Sequence, residues 1–332
     1  MESVGKLYGF YDPDEMRMIF KNRSKKLIPK VTTLEKCISE FLKDGDYIAS
    51  GNSAIERTPV AALMELIKQT KKNPKKHLKY GAVGGSPLPS VLAFMAGCFE
   101  ECDISYGMAL EALGVSKMAR RCFEAGKVQV TEWSNGTLAW RVKAAAMGLS
   151  FLPARSILGT DTFRYSASKE ITCPFSGKTY AAIPALYPDI VFIHVHAADI
   201  YGNSFIRGTT LVDVELAESS KKVIITTEKL VPTEFFRDDP LRTTIPFYLV
   251  DAVVEVPFGA HPGGMPYEYH MDVDFLRKML QAAENENSYN AFLEKYIYNV
   301  KDFNEFIELT GGIERIMKLR HKVLHLDLKE DI

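Results

Sequence analysis

From Val31 the chain alternates helices with short apolar strands, and that alternation restricts the fold more than any other feature. The spacing predicts a helix over 34–43 capped by Thr33 and stopped at Gly45, a strand over 47–50, and a helix from Pro59 to Thr70. Strand 78–83, helix 87–97, strand 103–106, helix 116–125, strand 128–132 and helix 134–148 follow. An irregular stretch over 150–188 is broken by Pro153, Pro174, Pro184 and Pro188 and holds a hairpin around 172–180. The pattern then resumes with strand 190–196, helix 212–219 and strands 222–226 and 252–256. From Asp272 the chain reads as helical to its end, with breaks near Asn287 and at Gly311–Gly312. Short buried strands separated by helices make an open, mostly parallel, doubly wound α/β sheet with an irregular insert and a helical C-terminal segment.

Such sheets take ligands in the crevice beyond the carboxyl ends of their strands. Three of the expected strands end in glycine-rich turns of one grammar. The run after Asp251 ends in a turn through Gly264 that carries His261. Strand 47–50 ends in Gly51-Asn52-Ser53, followed by Arg57 and a helix opened by Pro59. The third turn is Gly84-Gly85-Ser86. Together they point to an enzyme handling acyl or phosphate groups rather than a scaffold. No G-x-G-x-x-G follows a strand, and no P-loop, G-x-S-x-G elbow or zincin motif occurs.

Each candidate group has a structural reading beside its chemical one. Gly84, Gly85 and Ser86 can present backbone N–H groups to an oxyanion, or simply allow a tight turn. Arg57, just before a helix start, can grip a carboxylate or phosphate bidentately, or pair with Glu56 or Glu65 at the surface. His261 can donate to a thioester oxygen or act as acid and base, or bond its own loop. Glu132, at a strand end beside Trp133, can be a desolvated base or cap the helix near Ser134. His194 and His196 share one strand face; with only Asp199 as a nearby carboxylate, they read as core or interface residues rather than metal ligands.

A net charge of −1 over 332 residues speaks against a nucleic-acid surface. The basic cluster between Lys68 and Lys79 reads as a solvated helix end or as a seat for a phosphate-rich tail. Cys37, Cys98, Cys102, Cys122 and Cys173 lack paired zinc spacing, so no metal and a reducing, cytoplasmic setting are expected. No apolar run approaches the ~18 residues of a membrane span. Residues 1–30, aromatic and then basic, read as an extension that packs on a surface, and 31–325 as one domain.

The chain resembles the A (alpha) subunits of the family I CoA-transferases, the glutaconate CoA-transferase type in particular. The resemblance runs from about Val31 to about Leu319, carried by Asp44–Gly51, Glu56–Pro59, Phe123–Val128, Ala144–Pro153, Val250–Val254 and Phe258–Pro262, six segments in order. It implies the CoA-transferase fold and an obligate B (beta) subunit in an α2β2 or larger assembly. It also implies transfer of coenzyme A between an acyl-CoA and a carboxylic acid. The glutamate that forms the enzyme–CoA thioester belongs to the B subunit in this family, so none is assigned here. Coenzyme A enters as a substrate, with no permanently bound cofactor. Where the family has glycine-glycine-phenylalanine, this chain has Gly51-Asn52-Ser53, and Thr58 replaces a usual lysine. That change implies a more polar acyl group or altered chemistry, and together with Arg57 and Ser86 it points to a dicarboxylate such as glutaconate. The same fold hosts a steroid ring-opening CoA hydrolase, with a catalytic glutamate near the position of Glu132, and a decarboxylase. A third reading, a non-catalytic ligand sensor on the related sugar-phosphate fold, lacks a DNA-binding extension.

Overall fold

The computed structural model describes residues 2–81, 83, 96–106, 114 and 116–325. Apart from a two-residue ribbon at 197–198 and 204–205, its strands are β1 (Tyr47–Ser50), β2 (Lys79–Gly81), β3 (Glu101–Ile104), β4 (Gln129–Glu132), β5 (Phe151–Ala154), β6 (Lys169–Thr172), β7 (Thr179–Pro184), β8 (Ile190–Val195), β9 (Lys222–Thr227) and β10 (Ala252–Glu255). Seven of them form one sheet in the order β10-β9-β8-β1-β2-β3-β4. Every neighbouring pair is parallel. The chain builds outward from β1 through β4, then returns to the other side of β1 with β8, β9 and β10. The strand order therefore reverses between β1 and β8, and this switch point is where a doubly wound sheet opens a crevice at its carboxyl edge.

Alternation along each strand divides the core. Ile48, Ile190, Phe192, Ile224 and Val254 face one side, with α2 (Leu34–Phe41), α3 (Val60–Lys72), α4 (Lys117–Glu124) and the C-terminal helices. Ala49, Val191, Ile193, Val223, Ile225 and Val253 face the other. There they meet α5 (Asn135–Ala146), α6 (Asp213–Ser219) and the antiparallel insert β5-β7-β6. The hairpin expected near 172–180 is the β6–β7 pair. Side-chain caps fix the helix starts: Thr33 accepts from Lys36 N–H as the sequence suggests, and Ser116 and Ser134 accept from Ala119 and Thr137 N–H groups.

The C-terminal segment is α7 (Val273–Ala282), α8 (Glu286–Leu293), α9 (Phe303–Leu309) and α10 (Gly312–His325). The break expected near Asn287 lies at 283–285 instead. Asn285 adopts extended backbone and its side chain accepts from Ser288 N–H, so the cap sits two residues earlier and Asn287 joins the first turn of α8. The break at Gly311 is present, with φ 115°. Lys68 is no solvated helix end, because its ammonium donates to the Val300 and Lys301 carbonyls and ties α3 to this segment.

The N-terminal residues, with α1 (Pro13–Lys21), lie across the amino-terminal edge of the sheet. Thr131 donates to the Lys6 carbonyl beside β4, and Tyr187 N–H donates to Gly9 before β8. Arg23 donates to the Ser220 and Lys221 carbonyls before β9. Thr32 N–H donates to Val253 on the free side of β10, and Val253 N–H donates back to Lys30. Beneath this arm, Asp103 accepts from Arg141, Tyr47 and Trp133, and Arg141 donates onward to the Tyr8 carbonyl.

Candidate functional site

At the switch point β1 runs into a turn whose backbone is pinned from three sides. Gly51 N–H donates to Phe192 of β8 at 2.8 Å, and Ser53 and Glu56 exchange backbone bonds of 2.9 Å each. Ala54 and Arg57 sit at φ 54° and 57°, the left-handed region, which costs a side chain roughly 1–2 kcal/mol each. The turn after β10 lies directly against this one. Arg57 N–H donates to Gly264 (2.9 Å) and Ala61 N–H to Gly259 (3.0 Å), while a Cβ on Gly263 would collide with the Ile55 carbonyl. Two of the three glycine turns thus converge on one edge of the sheet, their loops reaching across the two strands between them. Gly84, Gly85 and Ser86 lie outside the described residues.

Arg57 does not reach into the crevice. It is fully buried, and its guanidinium grips Asp213 at the start of α6 through Nη1–Oδ1 (3.0 Å) and Nη2–Oδ2 (2.9 Å), with a further bond to the Thr209 carbonyl. The fork geometry foreseen for a substrate carboxylate is filled by a carboxylate of the same chain, and neither Glu56 nor Glu65 takes part. Burial pushes the Asp213 carboxyl up and the guanidinium opposes that shift. Gly51 has no room for a side chain, since a Cβ there would collide with Asp213 Oδ1.

His261 is likewise withdrawn. Its ring is buried against Phe275 and Phe306 of the C-terminal helices and meets Thr310 Oγ1 at 3.1 Å, and burial lowers its pKa to about 4. An imidazole that stays neutral inside an aromatic cluster has no route to a thioester in this arrangement. His194 and His196 are core residues too. His196 accepts from Arg207 N–H, bonds the Pro266 carbonyl at 2.9 Å and is lowered to about 4 by burial. Asp199 accepts from the backbone of Tyr201, Gly202 and Asn203 in its own turn. No cluster able to hold a metal ion occurs among the described residues.

Asn52 and Ser53 remain at the β1 carboxyl end. Asn52 is buried, donates to the Ala54 carbonyl at 3.0 Å, and keeps a side-chain oxygen with no partner. Glu132 ends β4, three strands from β1 and so about 14 Å away across the sheet. It does not cap α5: Ser134 and Thr137 close a reciprocal capping box there. Among the described residues its half-buried carboxylate has no hydrogen-bond or ion-pair partner. The indole of neighbouring Trp133 is buried on Asp103.

The residues that organise this edge without a signal in the sequence are Asp213 and Glu228. Asp213 sits in an ordinary helix start, and Glu228 follows an ordinary apolar strand. A carboxylate placed immediately after a buried strand is the one hint that Glu228 offers.

An open parallel sheet with two glycine turns meeting at its switch point is the form of an α/β enzyme that works at its carboxyl edge. The chain belongs to the coenzyme A transferase family, whose model, described as Coenzyme A transferase, matches residues 31–256. It is 31% identical to the A-type subunit of glutaconate CoA-transferase from Acidaminococcus fermentans, over 91% of this chain and 99% of that one. The crystal structure of that organism's glutaconate coenzyme A-transferase superposes with a TM-score of 0.81 at 29% identity, covering 87% of this chain and 95% of that chain. The A-type subunit of 3-oxoadipate CoA-transferase from Pseudomonas knackmussii is 32% identical over 83% of this chain and 96% of its own length. A cholesterol ring-cleaving hydrolase IpdA subunit of Rhodococcus jostii is 31% identical over 82% and 93%. The kinship with A-type CoA-transferase subunits that the six segments imply therefore holds, and the chain is a subunit of a transferase enzyme. Among the described residues no helix is long and apolar enough to cross a membrane.

Proposed function

We propose that this chain is the A subunit of a heteromeric CoA-transferase that moves coenzyme A between an acyl-CoA and a dicarboxylic acid. A B subunit supplies the glutamate that carries the CoA thioester, in an α2β2 or larger cytoplasmic assembly, and coenzyme A is a substrate rather than a resident group. One observation carries this reading. Among the described residues Arg57, His194, His196 and His261 are all engaged internally, which fits a site whose covalent glutamate comes from a B subunit. The A subunit then supplies a wall of the acyl site and backbone donors from its glycine turns, Gly84–Ser86 included. Preorganised donors of that kind act on the charge that develops in the transition state.

The dicarboxylate assignment rests on the substrates in the relatives' names, glutaconate and 3-oxoadipate, and on polar Asn52 and Ser53. Since Arg57 is held by Asp213, the cation that answers a distal carboxylate is assigned to the partner. The test is co-expression with the B-type chain, followed by incubation with glutaryl-CoA and acetate. Transfer should pass through a hydroxylamine-sensitive adduct on the B chain. Consumption of acyl-CoA with no such adduct would sink the transferase reading.

A second reading is a CoA-thioester hydrolase in which Glu132 is the base. It is favoured by a carboxylate with no described partner and by the IpdA relative. On that reading Glu132→Gln folds normally and loses about 10²–10⁴ in kcat; on the transferase reading turnover changes little.

A further inference from the structure

Glu228 follows β9 directly, and three groups converge on its carboxylate, one from β8 and two from the loop after β10. Its Oε1 accepts from the Tyr269 hydroxyl at 2.7 Å and meets His194 Nε2 of β8 at 2.8 Å; its Oε2 accepts from Phe258 N–H at 2.8 Å. The Tyr269 hydroxyl in turn accepts from Ala260 N–H at 3.2 Å. The Glu228 side chain is only 10% exposed, so few of its contacts can be replaced by water.

A carboxylate accepts only, so His194 Nε2 carries a proton, and in the neutral ring Nδ1 accepts from Thr226, which lies 2.9 Å away. Hydroxyl, imidazole and carboxylate follow one another as in a nucleophile triad. Thr226 is nevertheless wholly buried inside β9 and cannot meet a substrate. What the triad holds is the loop. Phe258 and Ala260 are bonded to it directly or through Tyr269, and Gly259 lies against the ring, where a Cβ would stand 2.7 Å from His194 Cε1. The same loop passes its fixed position to the β1 turn through Gly259 to Ala61 and Gly264 to Arg57. Phe258 also holds a left-handed backbone at φ 62°, a strain that persists only where surrounding contacts enforce it.

We propose that Glu228 is a positioning residue for the transfer reaction: it fixes the Phe258–Gly264 turn, and through it the Gly51–Arg57 turn that walls the acyl site. This deepens the transferase reading and rests on it for the rate, but the positioning itself is measurable without turnover. Glu228→Gln keeps size and shape while placing an amide N–H against one of three donors that all need an acceptor.

The experiment uses the full chain purified with its B subunit. Hydrogen exchange at backbone amides, without substrate, should show loss of protection at Phe258 and Ala260 in Glu228→Gln, with the central strands unchanged. With glutaryl-CoA and acetate, kcat should fall by about 10- to 100-fold, the cost of roughly an ångström of misplacement. KM for acyl-CoA should stay within about threefold, as expected when an interaction specific to the transition state is weakened. Tyr269→Phe, which removes one donor and leaves the carboxylate, should lose protection at Ala260 alone and show a smaller fall in kcat. It serves if the glutamine variant does not assemble. Unchanged protection at both amides overturns the proposal, as does full kcat in a variant whose protection is lost. A wild-type complex that transfers no CoA while the variant still loses protection refutes the transferase reading, not the clamp.

Discussion

Replacing Arg57 by Met separates two accounts of this residue that the sequence leaves open. In the structure the guanidinium makes two bonds to Asp213 and one to the Thr209 carbonyl, and both charged side chains are at zero exposure. Methionine fills the volume and leaves Asp213 as a buried carboxylate with neither oxygen answered by a cation. Breaking one side of a buried pair in this way costs about 3–5 kcal/mol. Asp213→Leu in the same chain removes the stranded charge, and paired apolar replacement of a buried ion pair is near neutral. The double variant should therefore recover most of the loss. Urea unfolding followed by far-UV circular dichroism reads both, with transition slopes checked to stay constant. A substrate-binding Arg57 predicts the reverse: stability within about 0.5 kcal/mol of wild type and a KM for dicarboxylates raised about 10- to 100-fold, or 1.4–2.7 kcal/mol. That second pattern would refute the ion-pair argument.

Two more perturbations follow from the same contacts. Gly51→Ala should cost about 1–3 kcal/mol by driving its methyl into Asp213, and the loss should be less than additive with Arg57→Met because both act on one carboxylate; strict additivity would place the clash elsewhere. His196 and His261 are held neutral by burial, with pKa values lowered to about 4. As pH falls from about 6.5 toward about 4, the unfolded chain takes up these protons first, so stability is lost across that window, by about 2 kcal/mol per histidine at pH 5. Replacing His261 by Phe should remove about that much of the drop between pH 7 and pH 5, and an unaltered drop in denaturation midpoint would show that the ring already titrates normally.

The sheet is legible because it is written in local terms. Tyr47–Ser50 and Ala252–Glu255 are short and apolar, Thr33, Ser116 and Ser134 cap as their chemistry dictates, and glycines mark where the strands stop. Parallel topology puts the Gly51 and Gly264 turns on one sheet edge, and loop backbone bonds bring them together across the two strands between. What the sequence does not disclose are partners distant along the chain. Nothing near Arg57 announces Asp213, 156 residues away, and a guanidinium beside a helix start looks the same whether it awaits a ligand or a neighbour. His261 misleads for a similar reason. Its turn belongs to the ligand edge, but its ring points into an aromatic cluster built by helices that arrive later. Glu132 suits a cap by position alone, since base and cap both put a carboxylate at a strand end, while Ser134 and Thr137 meet the cap's needs between themselves.

The arm that crosses the amino edge bears on how the protein is made. Lys6 and Arg23 find partners 125 and up to 226 residues further along, so the arm emerges from the ribosome long before anything it binds. Until the arm is seated, β4 and then β10 present open sheet edges of the kind that pair with other chains. Contacts this distant in sequence also form slowly, since the loops they close are long. The interval between completing the strands and seating the arm is then the period when the nascent protein is most exposed to edge-to-edge aggregation.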